Sequence, residues 1–272
     1  MLGKLMKYEL RATSRTMGPL LILTLALGLF VRWTTQAVNR FHTDFIEIVN
    51  ALLIFAFVVA LIGTAVFSVV LMVMRFQKNL MTDEGYLMFT LPVSVHQLLW
   101  AKLFTSLIWF LAVIATDALS LFALVYENGM FEEFFRMLGE VAARLDSYYT
   151  VNGTLFVLEA LAMALAAMVS ACLMFYAPIS IGHSFANRKT LLSVVFYFVI
   201  QTVLQILAIS AMTLLQNFES PVLTAMAAEN TMHATVILAH IVLLGLLAAS
   251  LLVAASLYFL TAHMLKKRLN LQ

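Results

Sequence analysis

Long runs of apolar residues dominate the pattern along this chain, and the short joints between them hold most of the charged residues. A helix needs about 20 mainly apolar residues to cross a bilayer, because backbone groups inside the hydrocarbon must hydrogen-bond within their own segment. Six runs meet this requirement, at residues 17–38, 48–74, 98–126, 154–181, 191–215 and 235–262. The pattern therefore predicts an all-α polytopic membrane protein, with six transmembrane helices in one transmembrane domain, residues 17–272.

Two further segments have helical periodicity but are too polar to cross a membrane. Residues 1–16 place apolar side chains on one helical face and basic ones on the opposite face, with Glu9 as an exception inside the apolar arc. We expect an amphipathic in-plane helix on the inner leaflet; the alternative is a basic flank that only orients the first span. Residues 131–146 are also amphipathic, with a mainly acidic polar face, and we expect this extracellular segment to lie on the outer surface or to cap the bundle.

The composition supports a membrane location. Of the 272 residues, 63% are apolar and 11% are charged, whereas a soluble domain of this length carries roughly a quarter charged residues. This difference excludes a soluble enzyme, a nucleic-acid binder and a disordered chain. The single cysteine, Cys172, lies in an apolar run and has no partner for an internal disulfide, so we expect a small core residue.

The basic residues orient the chain in the membrane. If the N-terminus is inside, twelve of the 16 Lys and Arg residues fall on the cytoplasmic side, and four fall outside, namely Arg32, Arg40, Arg136 and Arg144. An excess of basic residues marks cytoplasmic loops, and six spans return the chain to its starting side, so both termini are predicted to be cytoplasmic. The first run lacks a small-residue cleavage site, which favours a retained span over a signal peptide.

The joint between the second and third spans, residues 76–96, is the most distinctive cytoplasmic segment. It displays apolar side chains next to two acidic ones, breaks at Gly85 and again at Pro92, and offers Ser94 as an N-cap for the next helix. Apolar residues beside acids at a cytoplasmic surface favour docking to another protein. The alternative is an interfacial re-entrant turn that only joins two spans.

The stretch DEGYLMFTLPVS, from Asp83 to Ser94, resembles the segment that follows the second span in bacterial ABC transporter permeases of the ABC-2 type, often written E-G-Y-L-x-F-T-L-P-V-S. In that family the loop forms a coupling helix that docks on the ATPase subunit. The resemblance implies the same ATPase-coupling role for Asp83, Glu84, Gly85, Tyr86, Leu87, Met88 and Phe89. It also implies a second, weaker cytoplasmic contact at residues 183–189.

The resemblance further implies partners and a function. The chain contains no G-x-x-x-x-G-K-[ST] phosphate loop, so ATP and Mg are expected in two copies of a separate cytoplasmic ATP-binding subunit, and this chain is expected to bind no cofactor and to catalyse no reaction. Six helices enclose little more than their own packing, so a second permease chain, identical or different, would complete the pathway. We expect a permease subunit of an ATP-driven exporter in the bacterial cytoplasmic membrane, surrounded by lipid and without nucleic-acid partners, whose cargo is an amphipathic or hydrophobic peptide ahead of a drug or lipid.

Four polar residues fall at a comparable depth inside the predicted spans, and they form a candidate cluster of Arg32, Asp117, Glu159 and His240. An ionised carboxylate at such a depth costs on the order of 3 kcal/mol, so it faces a partner or a cavity. The cluster either lines the exit path or locks helix packing. A proton-coupled secondary transporter would instead use Asp117, Glu159 and His240 as a proton relay, although no inverted repeat supports this alternative.

An intramembrane hydrolase is a third hypothesis. Glu132, Glu133 and Arg136 resemble the E-E-x-x-x-R signature of CAAX-processing membrane proteases, and His183 and Asn187 have the H-x-x-x-N spacing of those enzymes. The first motif is one residue short, and the predicted topology places it on the opposite side of the membrane from His183. Since no H-E-x-x-H motif occurs either, we expect no catalytic and no metal-binding residues.

Overall fold

The computed structural model describes residues 2–41, 43–90, 92–126, 130–149, 153–185, 187–217 and 231–267. These residues form no strand and eight helices, namely α1 Leu2–Phe41, α2 Asp44–Met81, α3 Asp83–Thr90, α4 Val95–Val125, α5 Met130–Tyr149, α6 Gly153–Gly182, α7 Lys189–Asn217 and α8 Thr231–Lys267. All except α3 and α5 are long and apolar enough to cross a membrane. The predicted all-α class with six candidate spans is confirmed, and the chain has the character of a multi-pass membrane protein.

The first helix differs from the sequence prediction. α1 has 40 residues, which corresponds to about 60 Å, roughly twice the thickness of the hydrocarbon core. Residues 2–16 are its first turns and continue into the first span without a break, so they do not form a separate in-plane helix. The prediction relied on a change in polarity, which does not interrupt backbone hydrogen bonds, and even Pro19 lies inside α1.

Local sequence signals explain where two of the long helices begin. Ser94 caps α4 through a reciprocal capping box, in which its hydroxyl accepts from the Gln97 N–H while the Gln97 side chain accepts from the Ser94 N–H. This confirms the predicted N-cap. The first turn of α2 carries Asp44 and Glu47, whose negative charges are favourable at the positive end of the helix dipole.

The helices fall into two compact units, Met1–Met130 and Phe131–Gln272, and each unit contains three of the six candidate spans. In the first unit, α1 packs against α2 and α4, and α2 also packs against α3 and α4. In the second unit, α6 packs against α7 and α8. The first span of each unit therefore contacts both of the other spans in that unit.

Each unit has its own buried core. In the first unit the largest buried side chains include Met17, Phe57, Phe76, Leu99 and Leu103; in the second they include Leu173 and Tyr176. Cys172 is fully buried beside them, which confirms the prediction of a small core residue. Many other large apolar side chains on the candidate spans are exposed, such as Trp33 at 72% and Phe259 at 66%, as expected for surfaces that meet lipid.

Two predicted features of the connections have different outcomes. The amphipathic segment 131–146 is helical and lies within α5. Residues 218–230, which connect the fifth and sixth candidate spans and contain Glu219 and Glu229, lie outside the described residues.

Candidate functional site

The candidate site lies at one end of the first unit, where α3 joins two spans. α1 begins at this end, α2 returns to it, and α4 starts from it, because successive helices in the unit are joined by short connections and run in opposite directions. The predicted coupling segment 76–96 therefore consists of the last turns of α2, the whole of α3 and the first residues of α4.

A buried ion pair joins α1 to α4 at this end. The Nζ atom of Lys102 donates to Oε1 of Glu9, and the two side chains are only 5% and 9% exposed. Asn79 of α2 donates from Nδ2 to the same carboxylate oxygen over 2.9 Å. Because three helices each contribute one polar side chain, the pair fixes their relative positions at this end of the unit.

Two further hydrogen bonds extend this polar cluster along α1. Arg75 of α2 donates from Nη2 to the backbone oxygen of Ala12 over 3.0 Å. Trp109 of α4 donates from Nε1 to the hydroxyl of Thr13 over 2.7 Å. The first turns of α1 are thus attached to both neighbouring helices by polar contacts at successive levels.

α3 follows α2 after a single non-helical residue, Thr82. The sequence predicted a break at Gly85, but the helix breaks at Thr82. Gly85 lies inside α3, and its N–H donates to the Thr82 carbonyl over 2.8 Å. Gly85 has a different role: a Cβ atom there would lie 2.6 Å from the backbone oxygen of Leu80. Only glycine allows α3 to fold this closely against the end of α2.

The two sides of α3 differ in exposure. Tyr86 and Leu87 are 68% and 73% exposed, while Met88 and Phe89 are half-buried. Met88 lines a half-open pocket of about 200 Å³, and Glu9 and Lys102 line the same pocket. α3 therefore presents an apolar surface outwards and contacts the pocket that contains the ion pair.

The charges of α3 are only partly described. Glu84 is exposed and forms a 3.4 Å ion pair with Lys78 at the end of α2. Such an exposed pair contributes little to stability, about 0–1 kcal/mol. The side chain of Asp83 lies outside the described residues, so its predicted role stays a prediction.

The four residues of the predicted intramembrane cluster are divided between the two units. In the first unit, Arg32 donates to the backbone oxygen of Ala123 over 2.7 Å and lies 5.2 Å from the ring centre of Tyr126. Asp117 accepts from the hydroxyl of Thr64 at 3.4 Å.

In the second unit, α6 and α8 bring Glu159 and His240 together. Oε2 of Glu159 lies 2.7 Å from Nδ1 of His240, and the side chains are 10% and 14% exposed. The Phe156 ring packs edge-on against the imidazole at 5.2 Å. Nε2 of His240 is buried, and no described residue is its hydrogen-bond partner. The role of these four residues in the pathway or in packing stays a prediction.

The loop between α6 and α7, predicted as a weaker cytoplasmic contact, contains a buried histidine. His183 is 4% exposed, and its Nδ1 lies 2.9 Å from the backbone oxygen of Ile179. Burial lowers the pKa of His183, and nearby Lys189 lowers this pKa further. Burial therefore favours the neutral form of His183, and the predicted contact at residues 183–189 stays a prediction.

Sequence reasoning missed the ion pair and the amide beside it. Glu9 gave a signal, because it interrupts the apolar arc of residues 1–16. Lys102 is one of the twelve basic residues on the predicted cytoplasmic side, but neither it nor Asn79 gives a signal of this contact. The sequence alone does not show which helix faces pack against each other.

Neither a metal site nor a known family emerges from the part of the chain that the structure describes and from the comparisons. Among the described residues, no three His, Cys, Asp or Glu side chains gather into a metal site. A scan against protein-family models, a search of curated proteins and a search of solved structures each give no match.

Proposed function

We propose that this chain is the permease subunit of an ATP-driven exporter in the bacterial cytoplasmic membrane, and that α3 is its docking site for the ATPase. One observation carries the proposal. α3 is a short helix that joins the ends of two spans, and its Tyr86 and Leu87 side chains are 68% and 73% exposed. Large apolar side chains at such a position favour a protein partner, because aromatic anchors commonly dominate interface energies.

The contacts below α3 suggest how docking would reach the membrane. The half-buried Met88 shares a pocket with Glu9 and Lys102, and this ion pair connects α1 with α4. A push on α3 would therefore act on two spans at once. A rigid polar cluster suits this role, since it moves as one body rather than absorbing the displacement.

The remaining parts of the proposal come from the sequence. ATP and Mg would be bound by two copies of a separate subunit, and a second permease chain would complete the pathway between two sets of spans. The excess of basic residues puts α3 on the cytoplasmic side, where an ATPase has access. The cargo class that we propose is an amphipathic or hydrophobic peptide, ahead of a drug or a lipid.

The test is recovery of an ATPase subunit with the tagged chain, after co-expression with a candidate ATPase subunit from the same genome. Tyr86→Ala and Leu87→Ala should each weaken recovery, because loss of an interface anchor costs about 2 kcal/mol, or roughly thirtyfold in Kd. Phe45→Ala is the matched control: Phe45 is 73% exposed but lies at the opposite end of α2. Undiminished recovery and transport-stimulated ATPase activity in the Tyr86 and Leu87 variants would remove α3 from the coupling role.

A proton-coupled secondary transporter is the second candidate, and the Glu159–His240 pair favours it. A buried carboxylate in contact with an imidazole, whose Nε2 has no partner among the described residues, is a suitable place to take up and release a proton. A proton-coupled transporter needs no docking surface for an ATPase, so this mechanism does not explain the exposed Tyr86 and Leu87. We therefore place this mechanism second.

A further inference from the structure

The amphipathic helix α5 has an apolar face whose described side chains are exposed. The helices that pack extensively in the second unit are α6, α7 and α8, and α5 is in none of those pairs. Phe134, Met137 and Val141 recur at intervals of three and four residues, so they lie on one face. Their exposed fractions are 47%, 54% and 54%.

The opposite face of α5 carries charged side chains that form ion pairs with one another. Arg136 forms ion pairs with Glu133 and Glu140, at 3.7 Å in each case, and Glu132 is exposed beside them. Among the described side chains of this face, three carboxylates against one guanidinium give a net negative charge. The face suits water and disfavours burial against an anionic surface.

Chain length determines what the apolar face can meet. α5 ends at Tyr149, and α6, a candidate span, begins at Gly153. The three residues between them extend to about 14 Å at most. On the other side, four residues separate α5 from the end of α4, which is also a candidate span. Tied at both ends to helices that cross the membrane, α5 is held within reach of the bilayer surface.

We propose that α5 lies in the plane of the bilayer surface, with Phe134, Met137 and Val141 inserted at the boundary between headgroups and acyl chains. The occupant of the apolar face is therefore lipid. Interfacial helices bury the apolar side about 5–10 Å into this boundary. Because the polar face is acidic, anchoring depends on apolar area and on the two short tethers rather than on anionic lipid. This inference is independent of the proposed ATPase partner.

The test is a nitroxide scan of the full chain in phosphatidylcholine nanodiscs, with a single cysteine at each position from 132 to 141 in a Cys172→Ala background. Collision with oxygen, which concentrates in lipid, should peak at positions 134, 137 and 141. Collision with a water-soluble nickel complex should peak at positions 132, 133, 136 and 140. The oxygen-to-nickel ratio should be several-fold higher for Phe134→Cys than for Glu132→Cys, and both ratios should be unchanged when phosphatidylglycerol is added.

Three results would overturn the inference. High nickel accessibility at both 134 and 132 would place α5 in water. Low accessibility to both reagents at 134 and 141 would show that protein covers the apolar face, as in pairing with a second copy. A ratio that depends on phosphatidylglycerol would show electrostatic anchoring. Met137→Cys replaces Phe134→Cys if the latter chain is not monodisperse, because the two positions share one face.

Discussion

At the scale of single residues, the Glu9–Lys102 pair is the unusual feature of the first unit. Both charges are removed from water, and each loses a hydration energy that their mutual attraction and the Asn79 hydrogen bond must offset. Such a pair adds little net stability compared with an apolar pair of the same volume. Removing only one of the two charged side chains should destabilise the chain, because the other charge would remain buried and unpaired.

Lys102→Met should therefore destabilise the chain by about 3 kcal/mol, because it leaves the Glu9 carboxylate buried without its counter-ion. The double variant Glu9→Leu with Lys102→Met should recover most of that loss. Thermal unfolding of the purified chain in detergent measures both effects. Equal losses in the single and double variants would mean that the two charges do not depend on each other.

The sequence showed these residues only in part. Glu9 stood out because a carboxylate inside an apolar arc needs a partner, yet nothing in the local pattern named that partner. Lys102 follows its partner by more than ninety positions, and periodicity carries no information on contacts between distant helices. The exposed positions of α3 were easier to predict, because Tyr86 and Leu87 lie in a short segment between two apolar runs.

At the scale of helices, the sequence predicted the elements better than the joints between them. The long spans were clear because each needs many apolar residues in one run. The joints depend on single close contacts, which polarity does not reveal. Gly85 was read as a break, but its function is to let α3 approach Leu80, and the actual break falls at Thr82.

Gly85→Ala and Gly182→Ala should both destabilise these joints. A Cβ at Gly85 would lie 2.6 Å from the Leu80 oxygen, and one at Gly182 would lie 2.5 Å from the Ser193 nitrogen, where backbone atoms have little freedom to move. Gly63→Ala is the control. Apart from the backbone of α2 itself, no described heavy atom lies within 4 Å of a Cβ at Gly63, so alanine should be neutral or stabilise the helix by up to about 1 kcal/mol. Melting temperatures in detergent compare the three variants, and equal melting temperatures would contradict the close approach at the two joints.

At the scale of the whole molecule, the two proposed mechanisms assign different roles to the two units. In the ATP-driven exporter, force enters at α3 in the first unit, while Asp117 and Glu159 only shape the path or the packing. In the proton-coupled transporter, the Glu159–His240 pair of the second unit exchanges a proton in every cycle. Substitutions that keep the shape of a carboxylate but remove its charge therefore distinguish the two mechanisms.

Asp117→Asn and Glu159→Gln should retain transport if the chain is ATP-driven, because each amide keeps most hydrogen bonds and removes a charge that costs on the order of 3 kcal/mol in a span. The measurement is efflux of a fluorescent amphipathic peptide from vesicles that contain the chain and its ATPase, with ATP and a protonophore varied independently. Efflux should stop without ATP and continue with the protonophore. Efflux that ignores ATP, fails with the protonophore and is lost in Glu159→Gln would instead establish the proton-coupled mechanism, since only that mechanism requires the carboxylate to change its protonation state.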